Sequence, residues 1–236
     1  VQRPFYPEGA LCHCYLLHPP GGVVGGDRLE IDVRVAAGAA ALITSPGATK
    51  FYASAGEQAR QEQLLRVAAG ASLEWLPQEN IFFPAALARV QTRVELEPGA
   101  RFIGWDCQCL GRPVIGERFS VGQLDLGWQI HRGGRPLLLE RLRIDPERLD
   151  GAAGLRGEPV TATLLATPAG QAELEQVRAL VEVGASVGVT LLDDLLVLRY
   201  LGDSTEQCRR LFVQAWARLR PSVIGHEPCP PRIWAT

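Results

Sequence analysis

Val33-Arg34-Val35-Ala36-Ala37-Gly38-Ala39 returns as Leu65-Arg66-Val67-Ala68-Ala69-Gly70-Ala71 and, more faintly, as Val94-Glu95-Leu96-Glu97-Pro98-Gly99-Ala100. Each copy reads as strand, glycine turn, strand, because glycine takes the positive φ of a tight turn at no steric cost. The three glycines are spaced 32 and 29 residues apart, a period that suggests stacked strand layers. The expected fold is therefore mainly β, with a layered β-helix-like or layered-sandwich body. Three imperfect copies are about equally compatible with ordinary hairpins of another β architecture. The stretch leading into the first copy, Leu29-Glu30-Ile31-Asp32-Val33-Arg34-Val35, alternates apolar and charged residues, as a strand with one buried and one wet face does.

After Asp150-Gly151 the periodicity changes. Helical spacing predicts helices over 171–183 and 204–219, and no long helix between Leu29 and Ile103. In the second, Cys208, Leu211, Phe212, Ala215, Trp216 and Leu219 share one face, Ser204 and Gln207 form a capping-box signature, and Pro221 is expected to end the helix. Strands are expected at Val160 to Ala166, Ala185 to Leu191 and Leu195 to Leu201, with a turn at Asp193-Asp194. The domain reading is one unit over residues 1–236. A β body occupies 1–150, and a small α+β region with the two helices, 151–236, packs on it.

A chain of 236 residues with 47% hydrophobic content can bury a sizeable core. The net charge of −2 and the scatter of its 24 basic residues leave no field to gather phosphates, so nucleic acid is not an expected partner. No apolar run is long enough to cross a bilayer and the start, Val1-Gln2-Arg3-Pro4, has no signal core, which predicts a cytoplasmic protein with no membrane partner. The absence of methionine predicts that the chain starts downstream of its initiator and that a native N-terminal segment is missing. The six cysteines are expected as free thiols.

Motifs for chemistry are weak. Gly21-Gly22-Val23-Val24-Gly25-Gly26-Asp27 precedes an alternating strand rather than a helix, and Gly47-Ala48-Thr49-Lys50 lacks the glycine spacing of a P-loop, so neither predicts a nucleotide site. Cys12-His13-Cys14 and Cys107-Gln108-Cys109 each place two thiols on one strand face, as a soft-metal pair or as small core residues. The four histidines form no HxH or HExxH pattern, and no nucleophile elbow is present. The anomaly is a set of acids: Asp106 within Phe102-Ile103-Gly104-Trp105-Asp106-Cys107, Glu140 within Pro136-Leu137-Leu138-Leu139-Glu140-Arg141-Leu142, Asp27 after the glycine cluster, and Glu117. Arg28, Arg118 and Arg141 stand beside three of them as possible ion-pair partners; Asp106 has no charged neighbour.

A run of blocks then resembles one family. His18-Pro19-Pro20-Gly21-Gly22-Val23-Val24-Gly25-Gly26-Asp27, Thr44-Ser45-Pro46-Gly47-Ala48-Thr49-Lys50-Phe51-Tyr52, Trp75-Leu76-Pro77-Gln78-Glu79-Asn80-Ile81, Gly104-Trp105-Asp106, Gly111-Arg112-Pro113-Val114-Ile115-Gly116-Glu117 and Pro231-Arg232-Ile233-Trp234 are similar to successive blocks of the UreD (UreH) urease accessory proteins. They occur in the family's order over nearly the whole chain. The resemblance implies a largely β, helically layered body with two helices and no turnover of its own. It also implies binding to UreF, recruitment of the GTPase UreG through UreF, and docking on the urease apoprotein to support nickel insertion. The family's extra N-terminal stretch is absent, and the two cysteine pairs are not among its hallmarks.

No tightly bound cofactor is expected, only nickel in transit. Asp27, Asp106 and Glu140 are expected to face an interior, water-containing passage, because unpaired carboxylates in a dry core cost several kcal/mol each. His18, Thr49, Glu117, Cys107 and Cys109 are further candidates. The alternatives are acids in surface salt bridges, a stand-alone thiol and histidine metal-binding protein, and a hydrolase with an unrecognised site.

Overall fold

The computed structural model describes residues 3–235, so Val1 and Gln2 of the quoted start lie outside the described residues, as does Thr236. The chain opens with β1 (Phe5–Glu8), β2 (Leu11–Tyr15), β3 (Arg28–Val35), β4 (Ala40–Thr44), β5 (Thr49–Phe51) and β6 (Ala59–Val67). It continues through β7 (Ser72–Leu76), β8 (Asn80–Phe82), β9 (Leu87–Leu96), β10 (Arg101–Arg112), β11 (Glu117–Arg118), β12 (Gln123–Arg132) and β13 (Arg135–Ile144). Last come α1 (Pro146–Asp150), β14 (Val160–Thr167), α2 (Gln171–Arg178), β15 (Val187–Leu192), β16 (Leu195–Gly202) and α3 (Thr205–Val223).

The two strands flanking each repeat glycine do not pair with each other. β3 pairs in parallel with β6 and β6 with β9, so that Val33, Leu65 and Val94 are neighbours in register, as are Val35, Val67 and Leu96. Beyond the turn, β4 pairs in parallel with β7 and β7 with β10, aligning Ala40, Ser72 and Arg101. The repeat is thus a coil of two parallel sheets, and the hairpin alternative falls. Gly38, Gly70 and Gly99 all take positive φ, 71°, 68° and 78°, which turns the chain from one sheet into the other where a β-carbon would be strained.

The second sheet is β13-β12-β9-β6-β3, and the first runs β1-β2-β4-β7-β10-β14-β16-β15 with β5, β8 and β11 beside that path. Leu65, Val94, Trp75, Phe102 and Trp128 fill the space between the sheets. The strands after residue 150 extend the first sheet, because β14 pairs antiparallel with β10 and β16 with β14. On the outer face of that sheet, Cys208, Phe212, Ala215, Trp216 and Leu219 of α3 pack with Val177 of α2 against Cys107, Cys109 and Leu164.

Three local expectations need correction. α3 passes through Pro221 to Val223. The proline lies in the last turn, where its lost N–H removes one bond, and the buried Arg220 and Val223 beside it hold that turn on the sheet. α2 stops at Arg178 rather than 183, and Val183 is fully exposed with nothing to pack on. α1 was not anticipated, although Asp145 accepts from Arg148 N at 2.9 Å and Pro146 sits in the first turn, both ordinary start signals.

One buried charge cluster ties the layers together. Arg220 of α3 has no solvent exposure; its Nε donates to Glu74 Oε1 at 2.9 Å, and Nη1 and Nη2 donate to Glu8 at 2.6 and 2.7 Å. Trp216 Nε1 donates to the same Glu74 oxygen at 2.6 Å, and His13 Nε2 lies 2.6 Å from Glu8 Oε1. Burial alone raises the Glu8 pKa, but the bonds from Arg220 and His13 outweigh it and leave it below the ordinary carboxylate value. Removing one partner strands the others without water, at a cost of about 3–5 kcal/mol against a typical total stability of about 5–15 kcal/mol. Arg220→Ala is therefore expected to lower the denaturation midpoint severely, whereas the combined Arg220→Met, Glu74→Gln, Glu8→Gln variant loses much less. A loss below about 1 kcal/mol for Arg220→Ala in urea titrations would contradict this role.

Candidate functional site

The inward face of β6 changes character along its length. Val67, Leu65 and Ala59 are apolar, but Gln63 and Gln61 between them are both 6% exposed. In register with Gln63 lie Thr92 of β9, Trp128 of β12 and Glu140 of β13. In the first sheet Asp106 of β10, Thr163 of β14 and Arg199 of β16 are likewise in register. The two rows face each other: Trp128 Nε1 donates to Asp106 Oδ2 at 2.8 Å, and Arg199 Nη2 donates to Glu140 Oε2 at 2.5 Å. A polar rung thus runs from one sheet to the other, with Gln61, Gln108 and Asn80 as buried polar neighbours.

Asp106 is the centre of this rung. Its Oδ2 also accepts from Gln108 Nε2 at 2.9 Å, and its Oδ1 accepts from Thr163 N at 3.2 Å. Gln108 in turn accepts from Asn80 Nδ2 at 3.1 Å, and Thr92 Oγ1 donates to Gln63 Oε1 at 2.7 Å. Burial raises the carboxyl pKa from 3.8 to about 6 despite the bonds from Gln108, Trp128 and Thr163, and the nearby charge of Glu140 adds to the rise. Near neutral pH the group is mostly the anion, and it takes up a proton about a pH unit below.

Space opens on both sides of Asp106. A cleft of about 410 Å³ reaches it from the loops after β2 and β4, lined by His18, Thr49, Lys50, Gln61, Gln63 and Asp106 among others. The Gln61 Oε1 atom is buried there with no protein partner, an acceptor free for water or a cation. A second space of about 40 Å³, lined by Asp106, Gln108, Trp128, Glu140 and Thr163 among others, continues toward the Glu140–Arg199 pair. Asp106 lines both spaces, so Asp106, His18 and Thr49 are brought together around the first and Asp106 and Glu140 around the second.

Asp27 and Glu117 are not. Asp27 Oδ2 accepts from Val24 N at 3.0 Å in the turn leading into β3, and Glu117 is held by Arg112 through two bonds of 2.7 Å at the surface. That hydrogen-bonded pairing lowers the Glu117 pKa. Cys107 and Cys109 turn away from the rung toward α3, as alternation along β10 requires. A hydrogen bond with Cys208, then burial, pushes the Cys107 thiol well up, and burial with the Glu79 charge pushes Cys109 to about 11. Both are inert core thiols rather than ready ligands. Among the described residues, no three of the His, Cys, Asp and Glu side chains are grouped so as to hold a metal ion.

The family model described as "UreD urease accessory protein" matches residues 1–235. The chain belongs to the UreD family. It is 54% identical to the urease accessory protein UreD of Pseudomonas entomophila (strain L48), with all of this chain and 84% of that protein covered. The UreD proteins of Alcanivorax borkumensis and Klebsiella aerogenes are each 49% identical over the whole of this chain, covering 82% and 87% of their own lengths. A mainly β, solenoid-like UreD chain is thus what the repeat and the sequence blocks pointed to. No helix among the described residues is long and apolar enough to cross a membrane.

Gln61, Gln63, Thr92, Trp128 and Arg199 were not singled out from sequence. The two glutamines carried a signal: in Ala59-Arg60-Gln61-Glu62-Gln63-Leu64-Leu65 the alternation puts them on the face of Leu65. A titration tests the rung. Because the native Asp106 pKa lies above its unfolded value, the native state holds the proton more tightly. Its contribution to stability then falls as pH rises from about 4 to about 6 and is constant above, by about 3 kcal/mol in all. The stability difference between wild type and Asp106→Asn is expected to shift against wild type by that amount between pH 3.5 and 7. A pH-independent difference would contradict the raised value.

Proposed function

We propose that this UreD-family chain is a non-enzymatic scaffold for urease maturation that binds UreF, recruits UreG through it, docks on the urease apoprotein and offers nickel an interior route. The observation that carries the route is the position of Asp106, a carboxylate that lines two separate spaces between the sheets. Nickel(II) prefers nitrogen and sulfur ligands, so carboxylate and amide oxygens hold it weakly and release it, as a route requires. Asp106 and Glu140 carry the charge of the route, and His18 and Thr49 stand at its wider mouth. Nickel is the cargo; no tightly bound cofactor is needed. The working compartment is the cytoplasm, where the partners assemble.

The absence of turnover is supported by the accessory role in the names of the UreD proteins it matches. A stand-alone thiol and histidine store finds less support, since Cys107 and Cys109 pack in the helix-facing core.

Asp106→Asn and Glu140→Gln are expected to copurify with UreF and apo-urease as wild type does, while the nickel content of the activated urease falls severalfold. Asp27→Asn, outside the rung, is expected to load normally. Unchanged loading in both rung variants, or loss of assembly that explains the defect, would remove the route.

The scaffold role has its own test. Val114, Ile115 and Leu139 are 98%, 65% and 64% exposed, and exposed apolar groups and strand edges favour aggregation until a partner covers them. Coexpression with UreF is expected to raise the soluble fraction. Equal solubility and equal oligomer distribution with and without UreF would count against it.

A further inference from the structure

Among the described residues no helix packs on the outer face of the second sheet: α2 and α3 pack against the first sheet, and α1 lies beside β13 with Leu149 in the core, although parallel sheets are ordinarily covered on both faces. The outward positions of β3, β6, β9, β12 and β13 carry eight arginines and five carboxylates, a surplus of three positive charges on a chain whose net charge is −2.

The surplus is concentrated in one rung. Arg28 of β3, Arg60 of β6 and Arg89 of β9 are in register on adjacent parallel strands, roughly 4.8 Å apart along the ladder. Like charges placed side by side on a sheet repel, and the relief available within the chain is partial. Arg28 lies 2.6 Å from Glu30 and 3.4 Å from Glu62, and Arg89 only 4.0 Å from Asp125. Arg60, in the middle, has no side-chain hydrogen bond or ion pair among the described residues and is exposed. The next outward rung reverses the sign, with Glu30 beside Glu62. Next to both rungs the face dips into a shallow depression of about 550 Å³, lined by Glu30, Glu62, Arg89 and Arg93 among others.

We propose that this face docks a protein surface rich in carboxylates, seated on the Arg28–Arg60–Arg89 rung. The inference rests on the scaffold reading in supposing a protein partner. A carboxylate row over the three arginines relieves their repulsion, and the acidic rung of Glu30 and Glu62, two residues along each strand, accepts a basic row from the same partner. That alternation fixes register and disfavours a uniform polyanion such as nucleic acid.

The test titrates the full chain with a fluorescein-labelled octaglutamate peptide at low salt. Wild type is expected to bind, and the Arg28→Gln, Arg60→Gln, Arg89→Gln variant to bind roughly tenfold more weakly, since each exposed charge pair is worth a fraction of a kcal/mol to about one. Arg60→Gln alone, whose side chain has no partner to lose, gives a smaller loss of about two- to threefold and carries the test if the triple variant does not fold. Neutralising Arg156, Arg210 and Arg218, three exposed arginines off this face, leaves binding unchanged. Absence of binding by wild type, an equal loss in that control, or tighter binding of a dT12 oligonucleotide through the same three arginines would overturn the proposal. Failure of the scaffold reading appears separately, as wild type that copurifies with neither UreF nor apo-urease.

Discussion

In a coil whose strands run parallel and in register, each residue lies beside its counterpart in the next turn, roughly 4.8 Å away. Every choice of side chain is thereby repeated or answered across the sheet. Inward apolar residues stack into the core of Leu65, Val94 and their neighbours, and the turn glycines recur because each coil must change sheets at the same place. The same constraint makes an interior polar residue costly unless its neighbours are polar too. Gln63, Thr92, Trp128 and Glu140 follow one another on one rung, and Asp106 and Arg199 of the facing sheet bond to the last two.

The polar rung is also where the fold departs from the stablest arrangement. A carboxyl group held at a pKa of about 6 is a destabilising feature at neutral pH, and an apolar residue in its place would remove that penalty. The interior accepts it because three donors converge on the Asp106 oxygens. In the route proposed above, the anion would attract a passing cation, and the proton would return when the cation left. At the narrow end, Glu140 is already occupied by Arg199, whose side chain is 46% exposed. On the proposed route, a cation reaching Glu140 would have to compete with that guanidinium, which would shorten its residence there.

The architecture was legible because period and alternation are local properties. Three copies of strand, glycine and strand suffice to suggest the stacking, and the helical face of α3 is visible in one stretch of sequence. Asp106 was legible for the same reason, as an acid with no charged neighbour in an apolar run. Charge pairing was not legible, because strand neighbours point to opposite faces. Arg141 stands next to Glu140 but bonds Asp125, while Glu140 bonds Arg199. Likewise Arg118 bonds Asp150 and Glu117 bonds Arg112. The Glu140–Arg199 partners lie 59 residues apart, and even the nearer pairs, such as Arg112 and Glu117 across β10 and β11, are set by cross-strand register rather than by adjacency in the chain. Pro221 shows the converse, a strong local stop signal overridden by a last helical turn pinned through Arg220 to two strands.

Nickel K-edge anomalous diffraction bears most directly on the interior rung as a path for the ion. Crystals of the chain in complex with UreF, soaked in nickel near pH 7.5, should show partially occupied peaks between the sheets, beside Asp106 or between it and Glu140, and these peaks should vanish in Asp106→Asn. Peaks confined to surface histidines and cysteines, with none between the sheets at saturating nickel, would contradict it.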